Sequence, residues 1–132
     1  MSSRTVNIIA WACRLIAAAI MLQTLWFKFM AAPEPVYIFD KVGLGAHGRI
    51  GTGIAELIAS LLILYPRTTW LGALLALGVM GGAIMSHLTV LGIDVLGDHG
   101  LLFGLALAVA ACSLVLLFIE RRSIPVIGRL LP

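Results

Sequence analysis

Residues 53–64 read GIAELIASLLIL. The run is apolar except for Glu56 and Ser60. A carboxylate in such a run cannot stand alone in hydrocarbon. Its charged form costs several kcal/mol unless it is paired, hydrated or protonated. The segments around Glu56 must be arranged to tolerate it, and composition says what those segments are. Of 132 residues 61% are hydrophobic and only 11% charged, with a mean hydropathy of +1.11. A soluble domain sits near 45–50% apolar and about 25% charged. The chain therefore reads as an integral membrane protein with a single membrane domain over residues 1–132.

The net charge of +3 is small. No basic run carries interleaved aromatics, so nucleic acid is not an expected partner; the lipid bilayer is. The two cysteines, Cys13 and Cys112, form neither a CxxC nor a metal-ligand spacing. Arg4 followed by an apolar run looks at first like a signal peptide. However, Arg14 interrupts the run, the apolar stretch continues too far, and no small-x-small cleavage site precedes a polar domain. The segment reads as a retained first span.

A helix needs roughly 20 residues to cross about 30 Å of hydrocarbon. Spans are expected at about 8–31, 46–65, 68–90 and 100–119. Arg14 is expected to snorkel to the nearer interface, and Trp26 to sit in the belt at the far one. Residues 32–45 are expected to form a periplasmic or exterior loop. Pro33 and Pro35 end the first helix there and discourage its restart. Val36 to Phe39 is apolar enough for this loop to fold back on the bundle. Pro66-Arg67 is a short turn, so spans two and three form an antiparallel hairpin. The fourth span has no charge and closes on Glu120, Arg121 and Arg122. The tail around Arg129 suits the membrane interface or disorder.

The expected fold is thus an all-α, integral membrane four-helix bundle with both termini on one side. Arg4, Arg67, Arg121, Arg122 and Arg129 share that side; Lys28, Lys41 and Arg49 share the other. The positive-inside rule places the termini in the cytoplasm, in a bacterial inner membrane. Gly78-x-x-x-Gly82, and Gly100, Gly104 and Ala108, form small-residue ladders that let helices approach closely in lipid. Their sharper use is a homo-oligomer contact.

This pattern resembles the DoxX family of small four-span membrane proteins. Three pieces carry the resemblance, over about residues 14–122. They are Leu25-Trp26-Phe27-Lys28-Phe29 at the end of the first span, Gly53-Ile54-Ala55-Glu56-Leu57 with its leucine run, and the Pro-Arg-Thr turn into a Gly/Ala-rich span ending at His87. The resemblance implies a four-helix membrane bundle linked to redox and respiratory chemistry. Some relatives are subunits of quinone-reducing sulfur oxidoreductases, and others sit in complexes of oxidative-stress defence. Lys28, Glu56 and His87 carry over.

Read from the residues, Lys28 is the first partner for Glu56. Counting along the helices puts Lys28 about one turn from the outer end of the first span and Glu56 roughly 13–15 Å down the second, a gap their long side chains narrow. One reading is a structural pair that fixes helix register. The other is a polar pocket, open to the outer face, that binds a quinone-like head group or exchanges protons. Gln23 and His87 lie at similar depth, so Lys28, Gln23, Glu56 and His87 form the ligand or proton-site candidate, with His87 placed to hydrogen bond toward Glu56. His47, His87, His99, Asp94 and Asp98 share the outer side but match no metal motif, and bis-histidine haem needs two facing histidines within the bundle. No metal is expected. Cys13 and Cys112 read as free buried thiols near the cytoplasmic side, which excludes a disulfide-generating enzyme.

No Ser–His–Asp set, phosphate loop or dinucleotide fingerprint is present, so the chain is not expected to be an enzyme on its own. The leading reading is an accessory or redox-associated subunit of a membrane complex, with quinone as the ligand. The alternatives are a non-catalytic scaffold or assembly subunit, with Lys28–Glu56 as a structural pair, and a small-molecule transporter.

Overall fold

The computed structural model describes residues 3–124. The tail around Arg129 lies outside the described residues. Among the described residues the architecture is all-α, with five α-helices: α1 Ser3–Phe29, α2 Pro33–Lys41, α3 Gly45–Leu64, α4 Thr69–Ser86 and α5 Leu101–Ile119. A π-helical turn, His87–Leu91, continues α4. Four of these helices, α4 counted with its π turn, are long and apolar enough to cross a membrane.

The four long helices form a closed ring. α1 packs on α3 and α5, and α4 packs on α3 and α5. The core is built from small and flexible side chains, among them Ala17, Met21, Ala59, Ile63, Ala73, Ala76, Val109 and Leu116. Small residues suit a bundle in lipid, where association rests on close packing rather than on exclusion of water. Large apolar side chains such as Leu15, Trp26, Ile54, Leu61, Leu74, Leu107 and Phe118 are exposed outward. They face the hydrocarbon.

The segment expected to be a loop holds α2. The prolines there start a helix rather than prevent one. Pro33 is its first residue, where proline's missing N–H would have no intrahelical partner anyway and its fixed φ already suits the helix. What breaks α1 from α2 is Ala31, held at φ 54°. The left-handed residue turns the chain so that α2 lies across the end of the bundle and packs on α3.

The glycines act differently from the expected ladders. A Cβ on Gly78, Gly82 or Gly104 would meet nothing within 4 Å, so these positions do not bring helices of this chain together. Gly100 is the left-handed residue (φ 86°) that begins α5. Close approach occurs at Gly72 instead, where a Cβ would lie 2.6 Å from the Ile63 backbone N and 2.8 Å from the Ala59 carbonyl O. There the backbones of α3 and α4 touch, just beyond their hairpin turn.

Arg14 does not snorkel. It is buried, with its guanidinium 3.2 Å from Glu120 Oε1 at the end of α5 and 4.6 Å from the centre of the Trp11 ring. Depth explains the difference. α1 begins at Ser3 rather than near residue 8, so Arg14 is three turns inside the helix and a carboxylate across the bundle is its nearer partner.

Candidate functional site

Glu56 is fully buried. Three groups hold it. The Lys28 Nζ lies 2.5 Å from Oε1, the Thr24 hydroxyl donates to Oε2 at 2.6 Å, and the Ser60 hydroxyl donates to the Glu56 backbone carbonyl at 2.8 Å. The depth gap counted along the sequence vanishes because α1 and α3 are staggered. Phe29, the last residue of α1, stands against Gly53: a Cβ on Gly53 would lie 2.6 Å from the Phe29 ring. The first two turns of α3 therefore rise beyond the end of α1, and Lys28 meets Glu56 near one level. The glycine of Gly53-x-x-Glu56 is the seat for the ring that sets this stagger.

Thr24 escaped the sequence reading although a signal was present. It lies four residues before Lys28, on the same helical face. Gln23, one position away, points off that face and is exposed.

His87 is buried at the start of the π turn. Its Nδ1 is 2.9 Å from the Gly92 carbonyl O, and the Gly92 N–H donates back to the His87 carbonyl at 2.8 Å. A carbonyl only accepts, so Nδ1 carries the proton and Nε2 is the acceptor of the neutral ring. The ring meets Phe103 of α5 edge-on, with centroids 5.5 Å apart. The hydrogen bond expected toward Glu56 is thus directed to Gly92 instead.

Lys28, Glu56, Gln23 and His87 all line one cavity of about 930 Å³ at the α2 end of the bundle, with Thr24 and Ser86. The rest of its wall is mostly apolar, and Pro33, Pro35, Ile38 and Phe39 of α2 close it from above. Glu34 stands at this rim. Its carboxyl is raised above the usual range, by burial first and then by the nearby charge of Asp98. Asp98 lies between the π turn and α5. Burial opposes its ionisation, but three backbone N–H donors, with His87 nearby, outweigh that and lower it below the usual range. Val95 N and Gly100 N donate to Oδ1 at 3.0 and 2.8 Å, and Leu102 N donates to Oδ2 at 3.1 Å.

Among the described residues, no group of three or more His, Cys, Asp and Glu is placed to hold a metal ion. Cys13 and Cys112 are free, and their thiols lie against one another between α1 and α5. Sequence spacing alone gave no sign of that pairing.

A closed ring of four apolar helices, with a buried ion pair facing a large apolar cavity, defines a four-span integral membrane protein with an internal chamber. The DoxX family model matches residues 9–90, more than half the chain, and the protein belongs to the DoxX family. The match covers α1 to the π turn, including Lys28, Glu56 and His87, and stops before α5. No curated protein and no solved structure matches the chain.

Proposed function

We propose that this DoxX-family protein is a redox-associated membrane subunit whose chamber binds a quinone-like head group and exchanges protons with it. One observation carries the reading: the fully buried carboxylate of Glu56 and its Lys28 partner stand in the wall of a cavity of about 930 Å³. A pair serving only to fix register needs no space beside it. Small-molecule sites typically enclose about 300–1,000 Å³, are mostly apolar and carry a few fixed polar groups. This chamber has that character.

The residues divide the work by chemistry. Lys28 is an ammonium with three donors, paired with the Glu56 carboxylate. Its remaining N–H groups suit a carbonyl oxygen of the head group. Thr24 holds Glu56 in place, so the carboxylate keeps one orientation while a ligand comes and goes. His87 presents Nε2 as a site that accepts or gives up a proton. Reduction of a bound quinone takes two electrons and two protons. In this reading the chain positions the head group and handles protons, while a partner subunit supplies electrons. The rim carries Glu34 and the neighbouring Asp98, so protons reach the chamber from the α2 end.

Binding of a benzoquinone to the purified protein, by isothermal titration, tests this. Glu56→Gln is expected to keep the fold and weaken binding, and to shift the pH dependence of what remains. Unchanged binding in Glu56→Gln would sink the reading. A second reading, the scaffold, is favoured by the closeness with which Lys28 and Thr24 hold Glu56. It expects no binding in the native protein and an unfolded Glu56→Gln, rescued by also replacing Lys28 with Met.

A further inference from the structure

The glycines of the α3–α4 hairpin have different surroundings at its two ends. At its turn the backbones touch at Gly72. Toward the α2 end, Gly51 of α3 and Gly78 and Gly82 of α4 are exposed, and a Cβ on any of them would meet nothing within 4 Å. Among the described residues, no side chain of the bundle covers these three glycines. All three glycines nonetheless line the same cavity as Glu56.

Helical geometry shows where that cavity leads. Ala76 and Met80 of α4 are buried toward the core. Gly78 lies two residues from each, about 200° around the helix, on the outward side. A cavity that touches both Met80 and Gly78 passes around the flank of α4. The flank is the one facing α3, because Gly72 points there. The chamber thus opens sideways, between α3 and α4, onto the hydrocarbon-facing surface.

We propose that this gap is a lateral window, and that the chamber's ligand is an amphipathic lipid whose long alkyl or isoprenoid tail lies through it. The ligand enters from the membrane leaflet at the α2 end rather than from water. The inference rests on the head-group reading of the chamber and extends it to the rest of the molecule. The wall of the gap suits a tail: three glycines and Ala55 offer no side chain to displace, and its polar side chains, Thr52 and Ser86, are small, the Ser86 hydroxyl already donating to the Gly82 carbonyl at 2.9 Å. The corresponding gap between α1 and α5 is lined by Phe27, Leu101 and Leu105 and by the amide of Gln23, which an alkyl chain would cover without a hydrogen bond.

The experiment compares two probes on the full chain in lipid nanodiscs: a benzoquinone without a tail, and the same ring bearing a decyl tail. Gly82→Leu and Gly51→Leu fill the window from opposite walls at positions with room for a side chain, so each checks the other should one fail to fold. Each is expected to weaken the tailed probe by about tenfold or more, the scale of forcing bulk into occupied space. Binding of the tailless probe stays within about twofold of native, well below that steric scale. Leu105→Trp, in the other gap of the same chamber, is expected to affect the two probes equally.

Equal binding of the tailed probe by the native and window-filled proteins overturns the window while leaving the chamber reading intact. So does loss of the tailed probe in Leu105→Trp alone, or loss of both probes in the window variants. A native protein that binds neither probe overturns the chamber reading, and this inference with it.

Discussion

Lys28 meets Glu56 where the carboxylate is fully buried, and the consequences of removing one differ sharply from those of removing both. Lys28→Met leaves a buried carboxylate with only Thr24 and is expected to cost about 3–5 kcal/mol. Lys28→Met with Glu56→Met recovers most of that loss, because two apolar side chains of similar volume replace the pair. Unfolding in graded denaturant checks both; an intact Lys28→Met variant would show that the ion pair does not bear on folding. Gly53 makes a separate prediction. Gly53→Ala sets a Cβ 2.6 Å from the Phe29 ring and is expected to destabilise by about 1–3 kcal/mol. Phe29→Leu added to it restores stability, since the obstacle is the far end of a side chain. Gly72→Ala admits no such rescue, because its obstacles are the Ile63 backbone N and the Ala59 carbonyl. The sequence makes Glu56 conspicuous and names Lys28 as its partner. It cannot show the stagger that joins them, which depends on a ring and a glycine in different helices.

α2 was the least legible element, and its docking is the most sensitive to pH. The prolines were read as a stop because proline inside a helix removes a hydrogen bond; at a helix start the same property is harmless, and only the left-handed Ala31 reveals which case applies. α2 has no fully buried residue, so its hold on the bundle is modest. Glu34, its acidic residue at the chamber rim, has its carboxyl raised by burial and by Asp98. A group raised on folding contributes stability that is present below its unfolded value and lost as pH rises through the folded one. The α2 end is therefore expected to loosen as pH climbs past the ordinary carboxylate range, about 4.3 for glutamate. Hydrogen exchange over residues 33–41, corrected for intrinsic rate, follows this directly. Glu34→Gln should abolish the dependence, and exchange that stays pH-dependent in that variant would refute it. Asp98 has the opposite sign: lowered on folding, it stabilises the start of α5 above its unfolded value and loses that role only as pH falls through its folded one. Asp98→Asn is expected to cost about 1 kcal/mol in thermal melting and to reduce the pH response of Glu34 as well.

At the scale of the whole molecule, hydrophobicity made the four spans legible to within a few residues, since a span is a property of local composition. How the spans face one another was not, because that depends on small residues whose effect is the absence of a side chain. Gly78 and Gly82, whose spacing reads as a packing ladder, flank the chamber instead. The buried pairs also sharpen the argument for orientation. The positive-inside rule counts charges free to sit in loops, and Lys28, one of the cations counted from the sequence, is not free; nor is Arg14, which that count left out. Lys28 is held by Glu56 and Arg14 by Glu120. With Lys28 removed, the α2 end keeps Lys41 and Arg49. The other end keeps Arg4, Arg67, Arg121 and Arg122, and by sequence Arg129. The imbalance widens, so both termini are expected in the cytoplasm and α2 at the outer face, with the chamber's window in the outer leaflet. Two reporters fused in turn to the C-terminus test this: a fluorescent protein that matures only in the cytoplasm, and alkaline phosphatase, which is active only outside. The fluorescent fusion is expected to be bright and the phosphatase fusion silent. Phosphatase inserted after Gly43, between α2 and α3, should be active. The reverse pattern would place the chamber on the cytoplasmic side, and its protons would then come from the cell interior rather than from outside. Neutralising Arg121 and Arg122 together should weaken the bias toward a single topology, because they are half of the described cations at that end once Arg14 is set aside.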